Sequence, residues 1–296
     1  MSEWHPQSAE AIGRLHIRKS LPCQDKTCTM QRNGVTAIAL ADGAGSEVLS
    51  GEGAACAAET VCRLLTNSFD TLYQTETPYL MKKLLIDNLL KALEERADSL
   101  NVTIKQLPCT LLAVAVRGND YLMFHLGDGV IAYRKEGKML VASHPYNGEY
   151  ANTTVFLTSP QAIRYAKVFK GTQEKLEGFL LMSDGCERSL YSRKSCKLAP
   201  LTDKILQRTE LYDHETAEIH LRCLLREIIV PTTMDDCSLA VMTRRQGDLG
   251  DWAHMTQRKR ADILGIRTQN SSKRRRAIRK YAAVFGIDTG STGTAL

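Results

Sequence analysis

The 296-residue sequence predicts an α+β fold in which antiparallel sheet is faced by long helices. Three observations carry that expectation. Short apolar runs recur at residues 35–41, 109–141, 178–185 and 237–242 and meet turns rich in Asp and Gly. The runs between 109 and 141 follow one another without the crossover helix that a parallel sheet needs after nearly every strand. Helical periodicity is confined to separate stretches, the longest over 78–100.

The elements follow in order. VTAIALA, from Val35 to Ala41, is β-branched or small throughout and stops at Asp42-Gly43, as a buried strand entering a turn does. GEGAACAAETVCRLL, from Gly51 to about Leu65, is rich in Ala with apolar residues at helical spacing, so that strand feeds a helix. Residues 78–100 place Leu and Ile three and four apart with Lys, Glu and Arg between them, an amphipathic helix opened by Pro78. From Cys109 to Val141 the period changes. CTLLAVAV, YLMFHL, VIAYR and MLVA are separated by GND, GDG and KEGK, which predicts four strands of an antiparallel meander. GFLLMSDG repeats the strand-then-Asp-Gly arrangement at Asp184. A helix is expected from about His214 to Ile229, broken by Pro231, before CSLAVM forms a strand behind Asp235-Asp236.

A hydrophobic share of 43% and a charged share of 24% exclude collagen-like, fibrous and wholly disordered chains. No apolar run approaches the ~18 residues of a membrane span, and MSEWHPQSAE has neither a basic leader nor an apolar core. A cytoplasmic protein without membrane partners is expected. Nine cysteines without a CxxC suit reduced thiols better than a disulfide framework or a cysteine zinc site. Residues 1–243 carry 27 Lys and Arg against 29 Asp and Glu, whereas residues 244–296 carry 12 against 4. The positive charge therefore belongs to a C-terminal extension, 246–296, behind a globular domain of residues 1–245. Its clusters RKR and KRRR attract nucleic acid or acidic partners, but no DNA-reading motif accompanies them. Two short helices, around Ile263 and around Ile278, or a disordered linker account for it equally.

Aspartates recur at strand ends: Asp42, Asp128, Asp184 and Asp235-Asp236. Asp-Gly is the favoured hairpin dipeptide, and Asp128 within GDG reads as such a turn. Asp42 leads into a helix and Asp235-Asp236 opens a strand, positions that a turn preference does not explain. Carboxylates gathered there repel one another, and a hard divalent cation, Mg²⁺ or Mn²⁺, is the natural counter-charge for oxygen-only ligands. Two such ions roughly 3.5–4 Å apart hold a bridging water, lower its pKa and neutralise a phosphoryl group in transfer. That chemistry is phosphate-ester hydrolysis without a protein nucleophile.

The order CQD (23–25), ALADGAGS (39–46) followed by GEGA, CTLLAVAV (109–116), FHLGDGVIAY (124–133), LLMSDG (180–185) and DDCSLAVM (235–242) resembles the metal-dependent Ser/Thr protein phosphatases of the 2C class. The resemblance is closer still to their compact bacterial branch and spans about residues 10–243. It implies a four-layer α/β/β/α sandwich of two antiparallel sheets flanked by helices, with 1–245 as the catalytic domain. It also implies hydrolysis of phosphoserine and phosphothreonine by a water bridging two Mn²⁺ or Mg²⁺ ions, a phosphorylated protein as substrate, and a cognate Ser/Thr kinase as a partner. On the same resemblance Asp42 bridges both ions and the Gly43 carbonyl binds one. Asp184 and Asp235 are the remaining carboxylate ligands, and Asp25 acts through a metal-bound water. Asp235 is taken before Asp236 because it opens the D-x-x-[ST] element that ends at Ser238.

Three positions depart from the family pattern. Ala44 stands where animal members carry a histidine proposed as general acid, so protonation of the leaving alcohol falls to water or another residue. Arg188 stands where members with a third metal carry an aspartate, with Glu187 one place early, which argues for two ions. Ser20 holds the place of the phosphate-gripping arginine. Within HIRKS, Arg18 is the candidate because its planar fork suits a phosphoryl group, with His16 and Lys19 as rivals. These departures motivate a second reading, a catalytically silent phosphatase-like module that binds phosphoproteins. His125, inside YLMFHL, reads as a packed core residue.

Overall fold

Two five-stranded antiparallel sheets lie face to face in the computed structural model, which describes residues 4–146, 154–212 and 214–244. In chain order the first half comprises β1 (Trp4–Ala11), α1 (Arg14–Lys19), β2 (Lys26–Arg32), β3 (Val35–Ala41), α2 (Ser50–Asn67), α3 (Phe69–Gln74), α4 (Pro78–Ser99), β4 (Leu111–Arg117) and β5 (Asp120–Leu126). Then follow β6 (Val130–Lys135), β7 (Lys138–Ser143), α5 (Ala162–Tyr165), β8 (Lys167–Thr172), β9 (Leu176–Met182), α6 (Glu187–Leu190), β10 (Tyr191–Ser192), β11 (Lys197–Leu198), α7 (Pro200–Leu211), α8 (His214–Leu224) and β12 (Cys237–Arg244). One sheet runs β1-β12-β9-β6-β7 and the other β2-β3-β4-β5-β8. Helices α2 and α4 cover the second sheet, and α7 and α8 cover the first. This is the four-layer α/β/β/α sandwich.

The continuous apolar runs of the central strands follow from burial on both faces, since successive side chains of a strand point to opposite sides. In β3, Ile38 and Leu40 face the other sheet while Ala37, Ala39 and Ala41 face the helices. In β9, Phe179 and Leu181 enter the layer between the sheets, and Leu180 and Met182 pack under the helices. Phe179 is the centre of that layer, with the rings of Trp4, Tyr121 and Tyr133 at 6.3–6.5 Å between centroids. Small alanines on the helix side of β3 let α2 settle closely through Ala54, Ala57 and Ala58, all fully buried.

The four strands between residues 109 and 141 are present, but they are no single meander. β4 and β5 belong to one sheet, β6 and β7 to the other. Gly127-Asp128-Gly129 is the crossing between sheets, and the hairpin reading of Asp128 is corrected. The crossing is narrow: at Gly127, with φ +116°, a Cβ would lie 2.6 Å from the Thr110 side chain. Strands β1, β2 and β8 carry no apolar run because they are sheet edges and keep polar residues. Residues 16–19 of HIRKS lie in α1, and Ser20 is its C-cap. The helix expected at 214–229 is α8 followed by a wider five-residue turn, Leu225–Ile229. The basic extension, with its helices and nucleic-acid reading, lies outside the described residues.

Replacing Phe179 with Ala removes the ring on which three aromatic neighbours lean. Urea unfolding of Phe179→Ala is expected to show a loss of ~3–5 kcal/mol, the usual cost of such a cavity. A loss below ~1 kcal/mol, smaller than the transfer cost of the ring alone, would contradict a single packed layer between the sheets.

Candidate metal centre

Antiparallel neighbours bring opposite strand ends together, and this places the acidic residues at one pole of the sandwich. Lys26 pairs with Ala41, so Asp25, just before β2, lies beside Asp42, just after β3. Leu239 pairs with Met182, so Asp184, beyond β9, approaches the residues that precede β12. Asp128 arrives from the crossing between the sheets. One carboxylate oxygen each of Asp42, Asp128 and Asp184 lie within 4.8 Å of one another. Asp25 and Asp235 stand outside that group, close enough for their charges to act on Asp42.

Backbone and side-chain contacts hold several of these segments in place. The Asp42 amide donates to Thr110 Oγ1 at 3.0 Å, and its carbonyl accepts from the Thr110 amide at 2.8 Å. Gly43 is buried, its amide donating to the Gln24 carbonyl at 3.3 Å. Ser238 Oγ donates to Asp25 Oδ2 at 2.6 Å, which explains the serine of the D-x-x-[ST] element. Thr154 Oγ1 donates to Asp128 Oδ2 at 2.8 Å. His125 is a core residue, as expected, with Nε2 donating to the Gly127 carbonyl at 3.0 Å and Nδ1 accepting from Ser143 Oγ at 2.6 Å. Burial pushes its pKa down to about 3, so the ring is neutral and fixes the crossing that carries Asp128.

The two adjacent aspartates divide their work. Asp236 is buried, with Oδ1 accepting from the Gly13 amide at 2.6 Å and Oδ2 from the Gln24 amide at 2.6 Å and His16 Nδ1 at 2.9 Å. It ties α1 and the segment before β2 to the mouth of β12. Asp235 is exposed at that mouth. His16 is engaged by Asp236 through Nδ1, while Arg18 and Lys19 are exposed on α1. Arg188 turns to the Thr232 carbonyl at 3.1 Å.

Burial and mutual repulsion dominate the electrostatics. Burial pushes Asp25 up to about 8, with the charges of Asp236 and Asp184 adding and the Ser238 hydrogen bond opposing. Asp184 is pushed up to about 7 by burial and then by Asp128 and Asp235. Asp42 rises well above the usual carboxylate range, through burial first and then through Asp25, Asp184, Asp128 and Asp235. Partial burial and Asp236 raise Asp235. Asp184 Oδ1 is buried without a hydrogen-bond partner among the described residues. A buried oxygen without a donor, in an all-oxygen acidic set, fits a hard divalent cation.

A pairing close to this group in the chain has no sign in the sequence. Glu187 opens α6, and its Oε2 accepts from Arg193 Nε at 2.5 Å. The charge of Arg193 acts on Asp128 and Asp184. Nothing in YSRKSC marks this arginine, whereas the paired glycines around Asp128 were a readable sign of a chain squeezed through a gap.

The family model for protein phosphatase 2C matches residues 12–226. Serine/threonine-protein phosphatase 3 of Escherichia coli (strain K12) is 26% identical over 197 residues, covering 62% of this chain and 74% of that protein. A bacterial serine phosphatase of known crystal structure superposes with a TM-score of 0.58 at 10% identity over 82% of this chain and 98% of its own. The serine/threonine phosphatase of S. agalactiae gives 0.52 at 17% identity over 81% and 99%. These two structures share the fold.

A pH prediction follows for the metal-free protein. Asp25 and Asp184 hold their protons to higher pH when folded than when unfolded, so the stability they confer is present at low pH. It is lost as pH rises from about 4 through about 8. In chelator, Tm should fall between pH 5.5 and 8, and Asp184→Asn should raise Tm at pH 8. A flat profile, or a lower Tm for Asp184→Asn at pH 8, would show that these carboxylates do not repel as described.

Proposed function

The chain belongs to the protein phosphatase 2C family, and from that premise we propose that it is a Mn²⁺- or Mg²⁺-dependent phosphatase acting on phosphoserine and phosphothreonine of proteins. The observation that carries this reading is the convergence of Asp42, Asp128 and Asp184 from three separate segments of the chain. Asp42, Asp184 and Asp235 with the Gly43 carbonyl would hold two ions, and Asp128 joins them from the crossing. When bound, the ions supply an activated water and neutralise the charge of the phosphoryl group.

The chain's own groups do the rest. The amide and the carbonyl of Asp42 are both bonded to Thr110, which fixes the backbone that carries its carboxylate just beyond β3. Asp25, oriented by Ser238, is placed to accept a hydrogen bond from a water at the centre. Asp235 is the member of its pair still open to a cation, because Asp236 is bound by α1 and Gln24. Arg18, exposed on α1, is the N-terminal cation able to meet an incoming phosphorylated chain. Ala44 offers no proton, so the leaving alkoxide is protonated from solvent at the open mouth. Nine free thiols support a reducing, cytoplasmic setting, and no helix among the described residues is long and apolar enough to cross a membrane.

The test is hydrolysis of a phosphothreonine peptide in Mn²⁺ and in Mg²⁺, with and without chelator. Turnover should require the metal. Asp42→Ala and Asp184→Ala should each lower kcat/KM at least ~100-fold, the several kcal/mol that metal stabilisation of the transition state contributes, with the circular dichroism spectrum retained. Binding of the peptide without turnover in saturating Mn²⁺ would establish the silent binding module instead.

A further inference from the structure

The N-terminal segment has Ser20 where the family's phosphate-gripping arginine stands, and its Arg18 is exposed on α1 without a described contact to the carboxylates. Another guanidinium lies in the segment that follows Asp184. Glu187 starts α6 three residues beyond Asp184, and its side chain is only 14% exposed. Its Oε2 fixes Nε of Arg193 at 2.5 Å. A guanidinium fixed through Nε still presents its two Nη groups side by side, the fork that matches two oxygens of a phosphoryl group. The Nη groups of Arg193 make no hydrogen bond to the described residues, and the side chain is 40% exposed and so reachable. Its charge already acts on Asp128 and Asp184. Arg188, the other arginine of this segment near the site, is held away by Thr232.

We propose that Arg193, anchored by Glu187 at the start of the helix that follows Asp184, grips the phosphoryl group of the substrate through its Nη fork. The inference rests on the phosphatase reading and adds a residue to it. Glu187 is a positioning residue: it directs the guanidinium and keeps the arginine from collapsing onto Asp128 or Asp184, which are needed for cations. The arrangement supplies from a hairpin that follows Asp184 the anion contact absent from position 20.

The experiment is calorimetric titration of inorganic phosphate into the Mg²⁺-loaded full chain, beside steady-state kinetics on a phosphothreonine peptide. Arg193→Ala should weaken phosphate binding ~10- to 150-fold, the equivalent of the ~1.5–3 kcal/mol of a charge-assisted hydrogen bond. The peptide KM should rise accordingly. Glu187→Gln, which retains the arginine, should show a smaller loss of the same kind, and Arg193→Lys should recover part of it. Mg²⁺ affinity of Arg193→Ala should be unchanged or tighter, since a positive charge leaves the site. Arg188→Ala, the control for charge alone, should stay within about twofold. Wild-type phosphate affinity in Arg193→Ala, with hydrolysis intact, would overturn the role of Arg193 and leave the phosphatase reading standing. An equal loss in Arg188→Ala would reduce the effect to long-range charge and also overturn it. A wild-type chain that neither binds phosphate nor hydrolyses the peptide would sink both.

Discussion

Repulsion among carboxylates gathered at one end of a two-sheet sandwich is the constraint to which the rest of the structure answers. Asp25, Asp42 and Asp184 could not share that pole as full anions without a counter-charge. The fold nevertheless brings them there from both sheets, because antiparallel pairing sets the end of β3 beside the start of β2 and the end of β9 beside the start of β12. Two buried layers of apolar side chains under the helices, and a third between the sheets, provide the stability against which that repulsion is held. The acidic group is thus a cost that the packing sustains, and the divalent cations proposed for this pole would remove it.

The supporting contacts have a common purpose. Ser238 orients Asp25, Thr110 holds Asp42, Thr154 holds Asp128, and neutral His125 steadies the crossing beneath it. Asp236 is used differently from its neighbour. By accepting from Gly13, Gln24 and His16 it spends its charge on structure and leaves Asp235 open at the mouth. Gly185 has no room for a side chain, since a Cβ there would lie 1.9 Å from the Asp236 carbonyl oxygen, so the Asp184 and Asp235 segments touch backbone to backbone. Membership of the protein phosphatase 2C family places this geometry among Ser/Thr phosphatases.

The central strands were legible because burial on both faces leaves an unbroken apolar run, as in VTAIALA and CSLAVM. Edge strands β1, β2 and β8 were not, since one polar face and a solvent edge erase that signal. Asp42, Asp184 and Asp235 could be read from strand ends combined with a family resemblance. Asp128 was taken for a hairpin because a dipeptide preference cannot tell a turn within a sheet from a passage between sheets. The choice between Asp235 and Asp236 depends on which carboxylate the folded chain consumes, and the pairing of Glu187 with Arg193 depends on a hairpin, β10–β11, whose sequence carries no marker. Long-range contacts of this kind have no local spelling.

Crystals soaked in Mn²⁺ and measured for anomalous scattering test the central claim most directly, because they report ion number and ligands together. The account predicts two peaks at the common pole, each within a ligand bond of the Asp42–Asp184 carboxylates, with Asp235 turned toward one of them. Absence of density there under saturating Mn²⁺, or ions bound only elsewhere on the chain, would contradict it.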